Sequence, residues 1–244
     1  MKLLANGCSW TQGGGLDLNG ITRQELDQVT WPKHLHDLLG ATDFVNLADG
    51  CGSNQRIFRT TLDYLLDNKD EDIVAVIQLT EESRFEYYYP MDIDKQYENI
   101  NDRWMKAKIN NLIPQALALD NCGNIADIDG FDKHYKLSQE RLVYHTSDIQ
   151  NIYTYIEHCE ALSSLFKRFN IKYYFWDICD LPNRLPEPFK TFLLESYPWI
   201  NYINGSWQYW EYDRIEINVD SHPNHNGHKQ LAQCINSAIK EDFK

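Results

Sequence analysis

Apolar residues along this chain form short continuous runs that alternate with stretches of helical spacing. The clearest run lies between Asp72 and Leu79 and includes Ile-Val-Ala-Val-Ile. Such a run is typical of a strand buried on both faces of a parallel sheet. Shorter runs predict further strands at Lys2–Ala5, Phe44–Ala48 and Ile171–Trp176, with a fifth, edge strand at Trp199–Ile203.

Helical spacing of apolar residues fills the gaps between these strands. Thr30 as the N-cap, Pro32 in the first turn and Gly40 after the last turn bound a helix over Trp31–Leu39. Other helices are predicted over 57–66, 104–119, 147–169 and 187–196, with a last one near the C-terminus. This alternation predicts an α/β fold whose central parallel sheet is covered on both sides.

The segment 87–145 fits this alternation least well. It has an acidic stretch, a loop with spaced aspartates, and no linker-like composition at either end. We therefore expect one domain over residues 1–244, with 87–145 as an insertion or lid within it. The aspartates lack the closing Glu of a calcium loop, so the sequence does not favour calcium binding.

Composition and charge restrict the kinds of partner that we expect this chain to bind. The 244 residues carry a formal net charge of −13, with no cluster of Lys and Arg, which disfavours nucleic acid and anionic membranes. We expect neither a transmembrane segment nor a signal peptide, and the six cysteines are scattered without a Cys-x-x-Cys pair. We expect a cytoplasmic protein with reduced thiols and without structural zinc.

The first candidate site is the stretch Asn6–Gly15, which directly follows the first strand. Its sequence Gly7-Cys8-Ser9, followed by three glycines, can present a hydroxyl at the edge of a sheet. Ser9 is therefore the candidate nucleophile. The alternative is an ordinary turn in which this serine caps the next helix.

Two further loops follow predicted strands. The loop Asn46–Asn54 contains Gly50, Cys51 and Gly52 before a helix, and its backbone N–H groups can bind a negative oxygen. The strand ending at Leu79 leads into polar residues from Thr80 to Glu86. Ligands of open parallel sheets bind beyond such strand ends. The alternative for the glycine loop is a tight strand-to-helix turn.

The last candidate site lies near the C-terminus, where Asp220 precedes His222 by two residues. A histidine held in a loop suits a general base, and the aspartate can fix its tautomer. Three histidines spaced by three also suggest a metal, but Pro223 and Gly227 break any regular face, so no metal is expected. We expect His225 to be exposed and His228 to pack in or cap the last helix.

Taken in order, these blocks resemble the SGNH (GDSL-like) hydrolase superfamily. The resemblance rests on Gly7-Cys8-Ser9, the loop Asn46–Asn54, the polar loop at Thr80, and Asp220-Ser221-His222-Pro223. It covers most of the chain apart from 87–145. It implies a flavodoxin-like three-layer α/β/α fold and hydrolysis of an ester by a serine nucleophile, with no metal and no cofactor.

The resemblance also implies roles for individual residues. Ser9 resembles the nucleophile and one oxyanion donor, His222 the base, and Asp220 its orienting acid. The oxyanion or substrate-binding positions fall on Cys51, flanked by Gly50 and Gly52, and on Thr80, where the superfamily has an asparagine. Thr80, Ser83 or Arg84 is expected to replace that asparagine, and Cys8 stands where the superfamily usually has an aspartate.

The function implied is hydrolysis of a small acyl ester, with O-acetylated carbohydrate as one expected substrate class. An alternative is a catalytically weak or inactive carbohydrate-binding module on the same scaffold, with Trp207, Tyr209 and Trp210 stacking on sugars. A phosphate or nucleotide binder is least supported, because no Gly-Lys-Ser/Thr or Gly-x-Gly-x-x-Gly occurs. The expected partner is a small-molecule or carbohydrate ester, and the oligomeric state is left open.

Overall fold

The computed structural model describes residues 1–16, 20–50, 52–80, 84–88, 104–110, 113–117, 148–177, 185–200, 202–203, 206–207, 215–219 and 221–243. Its strands are β1 (Lys2–Asn6), β2 (Asp43–Asn46), β3 (Ile73–Leu79), β4 (Phe85–Tyr88), β5 (Trp104–Asn110), β6 (Ile113–Leu117), β7 (Lys172–Asp177), β8 (Tyr202–Ile203) and β9 (Ser206–Trp207). Its α-helices are α1 (Ser9–Gln12), α2 (Arg23–Asp27), α3 (Trp31–Leu39), α4 (Asn54–Asp67), α5 (Asp148–Arg168), α6 (Phe189–Ser196) and α7 (His225–Ile239), and a 3-10 turn over Lys240–Phe243 follows.

The central sheet is parallel, with the strand order β2-β1-β3-β7. Trp199 extends this sheet by a parallel bridge to Phe175 on β7. If only the strands of this sheet are numbered in chain order, their order in space is 2-1-3-4. The bridge at Trp199 adds a short fifth member, and the result is the flavodoxin-like arrangement. The predicted α/β fold with a central parallel sheet is therefore confirmed.

Helices cover both faces of this sheet. Successive side chains of a strand point to opposite faces of the sheet, so those of β3 alternate between the two layers of helices. Ile77 and Leu79 join one apolar cluster with residues of α4 and α5. Val74 and Val76 join a second cluster with residues of α3 and α7. One cluster lies on each face of the sheet, between the sheet and a layer of helices, so the fold has the three layers of an α/β/α sandwich.

The segment 104–119 departs from its prediction. The sequence predicts a helix there, whereas β5 pairs antiparallel with β6 along one edge and with β4 along the other. Met105, Ala107 and Ile109 alternate with polar residues, which is the period of a strand. Most of 87–145 lies outside the described residues, so its role as an insertion or lid stays a prediction, as does the single domain.

The N-terminus of α3 is capped by a distant histidine. Thr30 occupies the N-cap position as predicted, but its hydroxyl donates to Asp27 O at 3.0 Å and makes no cap bond. The Trp31 N–H donates instead to Nδ1 of His228 on α7, at 3.2 Å. His228 is fully buried, as the prediction of a packing role requires. Among the helices of the described residues, none is long and apolar enough to cross a bilayer.

Acid should destabilise this fold through His228. Burial, reinforced by the neighbouring histidines, lowers the pKa of His228 from 6.5 to about 3. The unfolded chain therefore binds a proton that the folded chain does not, so stability present above pH 6.5 is lost as the pH falls toward 3. We expect this group to lower the free energy of unfolding by at most about 1.4 kcal/mol per pH unit, measured by urea denaturation.

The control for this prediction is His228→Gln. Glutamine offers an acceptor for the Trp31 N–H and does not titrate. The variant should lose less stability than the natural chain between about pH 6.5 and about pH 4.5. Equal slopes in the two proteins would contradict the prediction.

Candidate active site

Ser9 lies at the carboxyl end of β1, where the chain turns sharply. It is the first residue of α1, and Cys8 is the N-cap. The helix ends after one turn because Gly13 adopts φ 107°, a left-handed conformation that suits glycine. Gly14 N–H then donates to Ser9 O at 2.7 Å. This turn leaves the Ser9 side chain partly exposed at the edge of the sheet.

His222 is held in a short loop before α7. Ile217 and Pro223 form an antiparallel bridge across this loop. Asn218 N–H donates to His222 O at 2.8 Å, and Ser221 N–H donates to Asn218 O at 3.0 Å. Asn224 then caps α7 by accepting a hydrogen bond from Gly227 N–H at 2.9 Å. The loop and the helix start together fix the backbone of His222.

The structure brings Ser9 and His222 together from opposite ends of the chain. Ser9 Oγ and His222 Nε2 are 2.8 Å apart, a hydrogen-bond distance. Asn218 reinforces this approach, because its side-chain Nδ2 donates to Gly15 O, beyond the Ser9 turn. A serine hydroxyl bonded to an imidazole is the arrangement that nucleophilic catalysis requires.

Gly14 leaves the room that this pair needs. A Cβ atom at this position would lie 2.8 Å from Cδ2 and 3.1 Å from Nε2 of His222, and 2.9 Å from Cβ of Ser9. The glycine backbone thus packs directly against both side chains. The sequence analysis places Gly14 in the first loop, but nothing in the sequence pattern separates it from its neighbours Gly13 and Gly15.

The second glycine loop contacts the Ser9 turn. Asp49 N–H donates to Gly7 O at 3.3 Å, and Gln12 Nε2 donates to Asp49 Oδ1 at 2.9 Å. Gly50 packs against Gln12, whose Oε1 would lie 2.9 Å from a Cβ at position 50. Gly52 N–H already donates to Asp49 O at 3.0 Å. The loop therefore lies next to Ser9, with the N–H of Gly52 engaged internally.

Thr80 is buried and held by two hydrogen bonds with Asn54. It is fully buried, its N–H donates to Asn54 Oδ1 at 2.9 Å, and Asn54 Nδ2 donates to its carbonyl oxygen at 3.0 Å. Its hydroxyl is buried, with no hydrogen-bond partner among the residues that the structure describes. Asn54 thus joins the second loop to the third. Because an asparagine at a helix start usually serves as a cap, the sequence gives no sign of this link.

Three of the predicted site residues lie outside the described residues: Asp220, Cys51 and Ser83. Their roles therefore stay predictions. Arg84 is partly buried and directly follows residues 81–83, which lie outside the described residues. The predicted roles of Gly50, Gly52, Thr80 and Arg84 in binding an oxyanion or a substrate likewise stay predictions.

The three C-terminal histidines have different surroundings. His222 bonds to Ser9, His225 is exposed, and His228 is buried against α3. Over the part of the chain that the structure describes, no group of three or more His, Cys, Asp or Glu side chains is arranged to hold a metal ion.

A methyl group at Gly14 should disturb the Ser9–His222 pair. In Gly14→Ala, the new Cβ must displace the imidazole, so we expect the reaction of Ser9 with a fluorophosphonate probe to slow at least about tenfold. Gly40→Ala is the control, because its φ of 63° strains an alanine while nothing lies within 4 Å. It should lose roughly 1 kcal/mol of stability and keep its reaction rate. An unchanged rate in Gly14→Ala would contradict the prediction.

Solved structures similar to this chain have low sequence identity. The psychrotrophic esterase EstA from Pseudoalteromonas sp. is 13% identical, with 99% of this chain and 98% of that chain covered and a TM-score of 0.48. LAE5, an α/β hydrolase enzyme from the metagenome of Lake Arreo, Spain, is 13% identical, with 98% and 94% covered and a TM-score of 0.46. A protein from Desulfitobacterium hafniense DCB-2, assigned to lipolytic proteins of the G-D-S-L family, is 10% identical, with 97% and 98% covered and a TM-score of 0.44.

No curated protein matches the chain. One family model matches residues 17–185, more than half of the chain, in a segment that contains neither Ser9 nor His222. Its description is "Family of unknown function (DUF6071)". The chain therefore belongs to the DUF6071 family.

Proposed function

We propose that this protein is a serine hydrolase that cleaves a small carboxylic ester, with Ser9 as the nucleophile and His222 as the general base. The observation that carries the proposal is the distance of 2.8 Å between Ser9 Oγ and His222 Nε2. Ser9 is partly exposed at the carboxyl edge of a parallel sheet, where ligands of such sheets bind. A substrate carbonyl can therefore reach the hydroxyl.

The reaction proceeds by acyl transfer. As Ser9 Oγ bonds to the ester carbonyl carbon, its proton passes to His222 Nε2. The bond to the alcohol oxygen then breaks, His222 returns the proton to that oxygen, and the acyl group stays on Ser9. Water, deprotonated by His222, attacks the acyl-enzyme and releases the acid, and the proton returns to Ser9 Oγ.

The imidazole must be neutral with its hydrogen on Nδ1 if Nε2 is to accept the proton of Ser9. A carboxylate beside Nδ1 favours this tautomer and stabilises the imidazolium that forms. We assign this role to Asp220, which precedes His222 by two residues in the sequence. Asp220→Asn should then lower kcat while leaving the Ser9 position intact.

Backbone N–H groups are the best candidates to stabilise the oxyanion. The Ser9 N–H is at the start of α1, and Gly50, which precedes Cys51 in the sequence, contacts Gln12 of the same turn, which also bonds to Asp49. Gly52 is a weaker candidate, because its N–H donates to Asp49 O. Thr80 is also weaker, because its side chain is fully buried. Arg84 is proposed to bind the substrate.

The substrate is proposed to be a small acyl ester, with O-acetylated carbohydrate as one class to test. We propose no cofactor and no metal for the reaction. A panel of short-chain aryl esters and acetylated sugars compares the two substrate classes directly. Glycan binding without any hydrolysis would favour the alternative of an inactive carbohydrate-binding protein.

Replacing Ser9 should abolish hydrolysis without unfolding the protein. We expect Ser9→Ala to lower kcat for p-nitrophenyl acetate by at least about a thousandfold, because no other group replaces the attacking oxygen. Its thermal midpoint should stay close to that of the natural chain. Ser164→Ala is the matched control, since Ser164 is exposed on α5 and bonds to Glu160 at 3.1 Å. Equal turnover by Ser9→Ala and the natural chain would overturn the proposal.

A further inference from the structure

The Ser9 turn rests on one buried side chain of the neighbouring strand, that of Gln78. Gln78 is fully buried on β3, and each of the three hydrogen bonds that its side chain makes with described residues goes to this turn. We propose that Gln78 is a positioning residue that holds the Ser9 hydroxyl in line with His222. Its effect on catalysis rests on the proposed function, whereas its effect on the turn does not.

The three hydrogen bonds cover both ends of α1. Gln78 Oε1 accepts from Cys8 N–H at 3.3 Å and from Thr11 Oγ1 at 2.5 Å. Gln78 Nε2 donates to Cys8 Sγ at 3.0 Å. Because Cys8 immediately precedes Ser9 and Thr11 lies in the same short helix, the amide holds the backbone before the hydroxyl and a side chain after it.

The orientation of the amide is set by its neighbours. Trp31 Nε1, which can only donate, bonds to Thr11 Oγ1 at 3.3 Å. The Thr11 hydroxyl can accept this bond and still donate its own hydrogen to Gln78 Oε1. The Cys8 N–H is also a donor, so Oε1 must face both groups and Nε2 must face the sulfur. A side chain that lacks either an acceptor or a donor cannot reproduce this arrangement.

Close packing makes the contact rigid. A Cβ at Gly7 would lie 2.6 Å from both Cβ and Oε1 of Gln78, and 2.6 Å from Thr11 Oγ1. The backbone at Gly7, directly after β1, therefore passes against the Gln78 side chain. Movement of the amide is passed to the turn, and a misplacement of about 1 Å in a catalytic group can cost about a hundredfold in rate.

The pairing of the strands explains why Gln78 occupies this place. Asn6 pairs with Ile77, so Gln78 lies opposite the first residue of the turn. Val74, Val76 and Gln78 share one face of β3, the face toward α3 and α7. Gln78 is the polar end of that apolar row, at the carboxyl edge of the sheet.

The test compares Gln78→Met with Gln78→Glu. Methionine is similarly long but removes all three hydrogen bonds, whereas a buried, protonated carboxyl offers both an acceptor and a donor. We expect Gln78→Met to speed amide hydrogen exchange over residues 8–12 at least about tenfold. We also expect it to lower kcat for p-nitrophenyl acetate at least about tenfold, with KM changed less than about twofold. Gln78→Glu should fall between Gln78→Met and the natural chain in both measurements.

Ser163→Ala is the matched control for loss of a buried polar group. Ser163 is fully buried and bonds to Tyr173 OH at 2.6 Å, away from the Ser9 turn. It should lose stability while exchange over residues 8–12 and kcat stay unchanged. Unchanged exchange in Gln78→Met would overturn the inference, as would unchanged kcat in an active enzyme. If the natural chain shows no Ser9-dependent turnover, the proposed function fails, and exchange alone decides the role of Gln78.

Discussion

Burial of β3 on both faces is the constraint on which the rest of this structure depends. The strand pairs with β1 on one side and β7 on the other, and its alternate side chains enter two separate apolar clusters. A slip of one residue would exchange the two faces and expose both rows to the wrong layer. The fixed register places Gln78 beneath the Ser9 turn and Thr80 beside Asn54.

Side-chain amides connect the loops at the carboxyl edge of this sheet. Gln78 joins β3 to the Ser9 turn, Asn54 joins the second loop to Thr80, and Asn218 joins the His222 loop to Gly15. An amide suits this purpose because it both donates and accepts. Removal of one partner would leave buried polar groups unpaired, at a cost of about 1–3 kcal/mol each.

The two positions at which the sequence departs from the superfamily pattern that it resembles have different environments in the fold. Cys8, which stands in place of an aspartate, is fully buried, and its sulfur accepts a hydrogen bond from Gln78. Thr80, which stands in place of an asparagine, is closed off from solvent. In the proposed mechanism, the negative oxygen therefore depends on backbone N–H groups at Ser9 and the second loop.

The sequence by itself determined the α/β alternation, the helix Trp31–Leu39 and the turn that carries Ser9, because local periodicity and glycine placement specify them. It also pointed to His222, although the helix predicted over 104–119 was wrong, because apolar residues in that segment recur with the two-residue period of a strand. Only the tertiary structure decided that Ser9 and His222 meet, that Gly14 leaves room for them, and that Gln78 and Asn54 hold their loops. These contacts join residues far apart in the chain, and no local pattern encodes which strand edge brings them together.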